Sequence, residues 1–185
     1  MIDDTLLDSE EKMDKAVAVA KEEFGVIRTG RAHPNMFNKL TAEYYGTQTP
    51  LNQLASFQTP EARMVVIQPF DKSSMGAIER SIRDSDLGVN PTNDGVVIRV
   101  VFPDLTEERR KEYIRVARHK AEDSRISIRN IRRHGKDAID RMVKNGEAGE
   151  DEGRRAVHEL DNLTKTYVDQ VDELLRHKEA ELLEV

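Results

Sequence analysis

Leu105-Thr-Glu-Glu-Arg-Arg110 opens a stretch that runs to Lys144 without a proline, and those residues decide the fold. Thr106 is a good N-cap, and Glu107 and Glu108 fall in the first turn, where the helix dipole favours negative charge. Small or apolar residues then recur at Ile114, Ala117, Ala121, Ser124, Ile128, Ile131, Gly135, Ala138 and Met142. The steps alternate between three and four, a heptad seam for packing against other helices. One helix over this stretch would be about 58 Å long. A second stripe runs beside the seam: Arg118, Arg125, Arg129, Arg132 and Lys136, with Arg133 next to it. From Thr106 to Lys144 there are 13 basic and 7 acidic residues, a balance of +6. The seam asks for a bundle and the stripe for a polyanion. The plain alternative for the stripe is a solvated face. The excess of arginine over acid speaks against it.

The same periodicity occurs near both ends of the chain. Residues 3 to about 29 form a first helix, with Asp3 or Asp4 as cap and Leu6, Met13, Val17, Ala20, Phe24 and Ile27 on one seam. Asn145-Gly146 is a good C-cap for the long helix. A third helix follows over residues 150–183, with Glu150, Asp151 and Glu152 in its first turn. Val157, Leu160, Thr164, Tyr167, Val171, Leu174 and Leu182 carry the seam onward. Gly25 and Gly135 interrupt helices that alanine would favour, which would loosen the bundle locally.

The texture changes between the first two helices. Thr29-Gly30-Arg31-Ala32-His33-Pro34 ends the first helix. Leu40–Tyr45 and Met64–Gln68 read as strands, and Val96–Val101 is the clearest one. Gly46-Thr47 and Pro91–Gly95 supply turns. Ser73 to Asp84 reads as a short helix capped by Ser73 or Ser74, with Met75, Ile78 and Ile82 inward. His33 has no assignable role.

These elements predict an α+β chain. An elongated antiparallel three-helix bundle (residues 1–30 and 104–185) carries an inserted small mixed α/β domain (residues 31–103), giving an L- or V-shaped molecule. Two connections join the domains, so Gly30, Arg31, Ala32, Pro103 and Asp104 form a hinge with restricted directions.

Composition narrows the function. The chain has 185 residues, a net charge of −6, 35% charged and 5% aromatic residues, and neither Cys nor Trp. The charge is uneven: residues 145–185 carry −7 against +6 on the long helix. A basic face on an acidic body suggests one anionic partner docked in one orientation. The lack of cysteine suits a reducing compartment. The acidic start, Met-Ile-Asp-Asp, is followed by no apolar segment, so neither a secretion leader nor a membrane span is expected, and the location read is cytoplasmic. His33, His119, His134, His158 and His177 show no ligand spacing, and no Gly-rich loop joins a strand to a helix. No catalytic residue, metal site or cofactor is expected, and the chain does not read as an enzyme.

Several blocks in order resemble the ribosome recycling factor family. They are Ile27-Arg-Thr-Gly-Arg-Ala32, and then Glu43-Tyr-Tyr-Gly-Thr47 together with Pro50-Leu51 and Gln53-Leu-Ala55 as one block. Further on come Ser85-Asp-Leu-Gly88 with Asn90-Pro91, Ile98-Arg99, Leu105–Arg110, and Arg129-Asn-Ile-Arg-Arg133. Each is weak alone; six in register are specific.

The resemblance implies a factor that binds the 70S ribosome after peptide release, with its bundle against large-subunit rRNA. Elongation factor G with GTP would then drive subunit separation, releasing mRNA and tRNA. The family's rRNA contacts map onto Arg129 and Arg132, with Arg133 and Arg110 nearby. Arg28 and Arg31 flank the hinge and are candidates for rRNA contact from the bundle tip; for Arg28 the alternative is an intramolecular ion pair. Arg118, Arg125 and Lys136 extend the site by spacing alone. Arginine suits rRNA because its planar fork pairs with phosphate and stacks on bases. No membrane partner is implied, and a monomer is expected. The competing reading is a helical scaffold that binds a protein along its seam edge.

Overall fold

The structure, a computed structural model, describes residues 1–184. In chain order the elements are α1 (Ile2–Gly25), β1 (Thr41–Tyr44), β2 (Thr47–Pro50), α2 (Leu51–Leu54), β3 (Ala55–Glu61) and β4 (Met64–Pro69). They continue with α3 (Met75–Arg83), β5 (Thr92–Asn93), β6 (Ile98–Val101), α4 (Glu107–Lys144) and α5 (Glu150–Leu183). The chain divides into two compact units, Met1–Ile27 with Glu107–Glu184, and Arg28–Thr106.

In the first unit, α1, α4 and α5 pack pairwise as a three-helix bundle. The α4 seam is real: Ala117, Ala121, Ile128 and Gly135 are buried, as is Ile139, which the spacing did not include. Leu6, Met13, Ala20 and Phe24 of α1 face Leu160, Tyr167 and Val171 of α5 across the same core. Pair contacts set the directions. Lys120 pairs with Glu23, and Ser9 lies beside Gly135, so α1 and α4 run antiparallel. Tyr167 donates to Glu10 at 3.4 Å, while Val17 and Lys21 share a groove with Gln170 and Leu174, so α1 and α5 run parallel.

The first helix ends at Gly25, short of the expected residue 29. Glycine is a poor helix former, and the Ile27 N–H turns back to the Phe24 carbonyl at 3.2 Å. Its N-cap is Met1, with Asp3 and Asp4 inside the first turn as dipole partners and not caps. The α4–α5 turn uses Gly146 at φ 73, and the Glu147 N–H closes on the Met142 carbonyl at 2.8 Å.

Two glycines make close helix approach possible. A Cβ at Gly135 would lie 2.7 Å from Ser9 Oγ and 3.1 Å from Leu160 Cδ2. Gly135 therefore tightens the bundle instead of loosening it. At Gly153 the added Cβ would meet Val143 Cγ2 at 2.5 Å. Valine is locked at χ1 in a helix and cannot swing away. Gly153→Ala should therefore cost about 1–3 kcal/mol by overpacking, against a propensity gain of about 1 kcal/mol. In a Val143→Ala background the clash is gone, and the same change should become stabilising. Denaturant melts of the four proteins check this; a gain in the wild-type background would refute the close approach.

The second unit holds a four-stranded antiparallel sheet in the order β3-β4-β6-β5, and a separate β1-β2 hairpin. Val65 pairs with Val100 and Ile67 with Ile98 at its centre. These four are fully buried, with Phe37, Leu51, Ile78 and Ile82. The strand β3 is not among those expected; a bulge between Gln58 and Glu61 accommodates Pro60 at its end. The short helix α3 has Ser74, one of the two expected residues, at its N-cap, although the Ser74 side chain makes no cap bond; the 3-10 turn before it is capped by Asp71, whose Oδ1 accepts from the Ser73 N–H at 2.9 Å. Hydrogen bonds from Ser73 and from the Tyr44 hydroxyl hold the Asp71 carboxyl below its usual range. His33 has a local role after all. Its Nδ1 accepts from the Asn35 N–H at 3.1 Å, capping the 3-10 turn Pro34–Phe37.

The segments that leave this unit are tied to one turn. Ala32 N–H donates to the Ala62 carbonyl at 2.7 Å, and Phe102 N–H to the Arg63 carbonyl at 2.8 Å. Arg63 also pairs with Asp104 at 3.1 Å. The unit boundaries therefore fall at Ile27/Arg28 and Thr106/Glu107, outside the expected residues 31 and 103.

Candidate nucleic-acid interface

The cations of α4 do not form one uniform stripe. Arg118, Arg125 and Arg132 lie seven residues apart and turn toward α5. Arg118 Nε meets Glu179 at 2.6 Å, Arg125 Nη2 meets Asp172 at 2.6 Å, and Arg132 Nε meets Asp161 at 2.5 Å. This is the flanking ion-pair pattern of packed helices. Arg125 is the most enclosed, with 19% of its side chain exposed, and Glu122 holds it as well at 3.1 Å. Burial pushes its guanidinium pKa down, but the hydrogen bonds it donates to Asp172 and Glu122 outweigh that and raise it. Lys136 pairs along its own helix with Asp140 at 2.7 Å.

A second row faces outward. Arg129 is 52% exposed, with a loose contact to Glu122 at 3.5 Å. Arg133 is exposed and makes no ion pair among the described residues. Arg115 and Ile126 are exposed and fall on the same row; their steps of 11, 3 and 4 to Arg129 and Arg133 keep one helical face. The sequence reading missed these two because it followed arginines one heptad apart. Arg110 is half-buried, and its Nε is buried with no hydrogen-bond partner among the described residues. The acids Asp161, Asp172 and Glu179 were also missed. The signal existed: Asp172 and Glu179 repeat at the heptad spacing of Arg125 and Arg118.

The remaining candidates lie in the small unit. Arg28 is half-buried; its Nη2 donates to the Leu87 carbonyl, and its guanidinium sits 5.9 Å from the Phe102 ring centroid. Among the described residues it is held by a carbonyl and a ring and not by an ion pair. Arg31 is exposed, beside Gly30 at φ 80. Ala32 and Asp104 are anchored to the Ala62–Arg63 turn. Among the described residues no group of three or more His, Asp or Glu side chains could hold a metal ion, and no helix is long and apolar enough to cross a membrane.

The outward row offers three guanidinium groups, Arg115 and, one turn apart beside the apolar Ile126, Arg129 and Arg133, with Arg132 on its α5-facing edge. Such a surface can fork onto phosphates and stack on exposed bases.

The sequence profile of the family described as ribosome recycling factor matches residues 20–183. The chain is 69% identical over 185 residues to the ribosome-recycling factors of Streptomyces avermitilis and Streptomyces coelicolor, with both chains covered in full. The identity to that of Thermobifida fusca is 67% over the same length. A solution structure of ribosome recycling factor matches with a TM-score of 0.80 at 38% identity, covering 100% of this chain and 98% of that one. The T. thermophilus ribosome recycling factor, described with the E. coli elongation factor G as bound to the E. coli post-termination complex, matches with a TM-score of 0.68 at 39% identity over 99% of each chain.

Proposed function

The chain belongs to the ribosome recycling factor family, and from that premise we propose that it binds the post-termination ribosome and, with elongation factor G and GTP, splits it into subunits. The observation that carries the mechanism is the outward arginine row of α4, where Arg129 and Arg133 are exposed beside Arg132. These groups anchor the bundle on large-subunit rRNA through phosphate and base contacts. Arg110 and Arg31 add contacts near the start of α4 and beside the linker. Arg28, already bound to Leu87 and Phe102, positions its own unit. Arg118 and Arg125 tie α4 to α5, and Lys136, paired along α4 with Asp140, adds to the field behind the row.

The bundle then acts as a lever. Elongation factor G pushes on the small unit, and the two chain connections at Ile27–Arg28 and Thr106–Glu107 pass the displacement to the bundle. GTP hydrolysis belongs to the elongation factor, so this chain supplies contact and stiffness and no catalytic group. The factor works as a monomer in the cytoplasm, where ribosomes terminate.

Light scattering of 70S ribosomes tests this. The expected result is a fall in scattering that requires this chain, elongation factor G and GTP together. Binding without a fall would mean that the chain occupies the site but does not recycle. Absence of both binding and splitting would return the chain to the scaffold reading.

A further inference from the structure

Arg115 stands apart from the other cations of α4. It is exposed and makes no ion pair among the described residues. Its neighbours one turn away along the helix are Lys111, Glu112, Arg118 and His119. Glu112 faces Arg109 at 3.7 Å, Lys111 is held by Glu107 at 3.4 Å, and Arg118 by Glu179 at 2.6 Å. No acid draws the Arg115 guanidinium inward, and a like charge on either side pushes it into solvent. Arg133 follows five whole turns later, so the two side chains leave the same line of the helix about 27 Å apart. Between them Glu122 interrupts the positive face, engaged by Arg125 at 3.1 Å and Arg129 at 3.5 Å. The row therefore carries its charge at two separated points.

We propose that Arg115 is a second rRNA anchor, which takes a phosphate remote from those met by Arg129 and Arg133 and so fixes the direction of the bundle axis on the large subunit. The proposal rests on the reading that the outer face of α4 binds rRNA. Arg129, Arg132 and Arg133 span only about 6 Å of a helix about 57 Å long. With about 1 Å of play in each contact, that cluster alone lets the axis rock through roughly 10°, whereas contacts about 27 Å apart hold it to about 2°. A lever must be held against rocking if a push on one end is to reach the other. Arg115 suits this task better than Arg118 or Arg125, which reach a phosphate only by giving up Glu179 or Asp172. An ion pair is also nearly neutral as a unit, so it releases few counterions when RNA approaches, while the charge of Arg115 is fully available.

The test uses the full-length chain and purified large ribosomal subunits. Arg115→Gln should weaken binding about 10-fold and lower the log–log salt slope by about 0.7–0.9. Arg155→Gln is the control for net charge. Arg155 is exposed on α5, five turns before Glu173, which lines the groove facing α1. It should move affinity less than about 2-fold, since it lies well beyond the screening distance from the row. Direction is read from a tethered iron chelate that cleaves nearby rRNA. The chain has no cysteine, so Glu147→Cys supplies a single attachment point on the α4–α5 turn. At saturating concentration the parent should cut one narrow set of rRNA positions. Arg115→Gln should broaden that set, and Arg133→Gln should leave it narrow, because Arg129 and Arg132 still hold that point. Circular dichroism checks that each variant is folded. An Arg115→Gln variant that matches the Arg155→Gln control in affinity and slope would overturn the proposal, as would lost affinity with an unchanged cleavage set. The rRNA reading itself fails separately, if Arg129→Gln and Arg133→Gln also leave large-subunit affinity untouched.

Discussion

Replacing Arg129, Arg132 and Arg133 together by glutamine should weaken binding to the ribosome about a thousandfold. Hydrogen bonds to charged groups contribute about 1.5–3 kcal/mol each at the upper end of the usual range. Three lost contacts at a conservative ~1.4 kcal/mol each remove about 4 kcal/mol, or three decades of affinity. The salt dependence should flatten at the same time, with the log–log slope falling by about 2 as three phosphates lose their counter-charges. Glutamine keeps the helix propensity close to that of arginine. The intramolecular pairs lost are Arg129–Glu122 and Arg132–Asp161, both exposed to solvent and each contributing about 0–1 kcal/mol. The fold should therefore survive, and the loss can be assigned to the surface. Lysine at the same positions should recover the salt slope but only part of the affinity, since it keeps the charge and lacks the fork. Filter binding or anisotropy at three salt concentrations suffices. An unchanged affinity and slope would show that the outer face of α4 is not the interface.

The largest effect on stability is expected at the centre of the bundle. Leu160→Ala should destabilise it by about 2–5 kcal/mol. Leu160 is fully buried, and it packs over the Gly135 backbone beside Ser9. Glycine has no side chain to shift into the void, and α1 is already in close approach there, so the site relaxes little and the upper half of the range applies. Against a total of about 5–15 kcal/mol for a typical domain, that is a drop in melting temperature of about 10 °C or more. Calorimetry should show the bundle transition moving while that of the small unit stays in place. A loss below about 1 kcal/mol would mean that the seam can collapse around the missing side chain.

The heptad steps over Ile114–Met142 placed the bundle correctly because burial on a helix follows its period whatever the partner is. Ile139 escaped because it lies beside the 3/4 path, on the shoulder that a wide apolar stripe also covers. Ser9 escaped because a polar residue carries no hydrophobic signal; only its contact with Gly135 reveals why it is buried. The arginines were harder. Spacing shows which face a cation occupies but not which acid meets it, and that depends on the pairing of α4 with α5. Arg118, Arg125 and Arg132 thus looked like one stripe with Arg129, although they meet carboxylates across the helix pair. In the small unit, β3 was obscured by Pro60; Arg28 looked like the end of the first helix and Asp104 like hinge because their partners, Leu87, Phe102 and Arg63, are distant in sequence.

The bundle is interrupted in the chain, and this has a consequence during synthesis. The first helix is complete at Gly25, yet the helices that cover Leu6, Met13 and Phe24 begin only at Glu107. At about 5–20 residues per second, the intervening 80 or so residues take roughly 4–16 s to translate. The small unit can fold meanwhile, since its strands and α3 lie within one continuous segment. The amphipathic first helix cannot, and it waits with its apolar face uncovered until α4 and α5 emerge. The nascent chain therefore passes through a stage in which it needs either a chaperone or a nearby surface to shelter that face, a demand that the finished protein no longer shows.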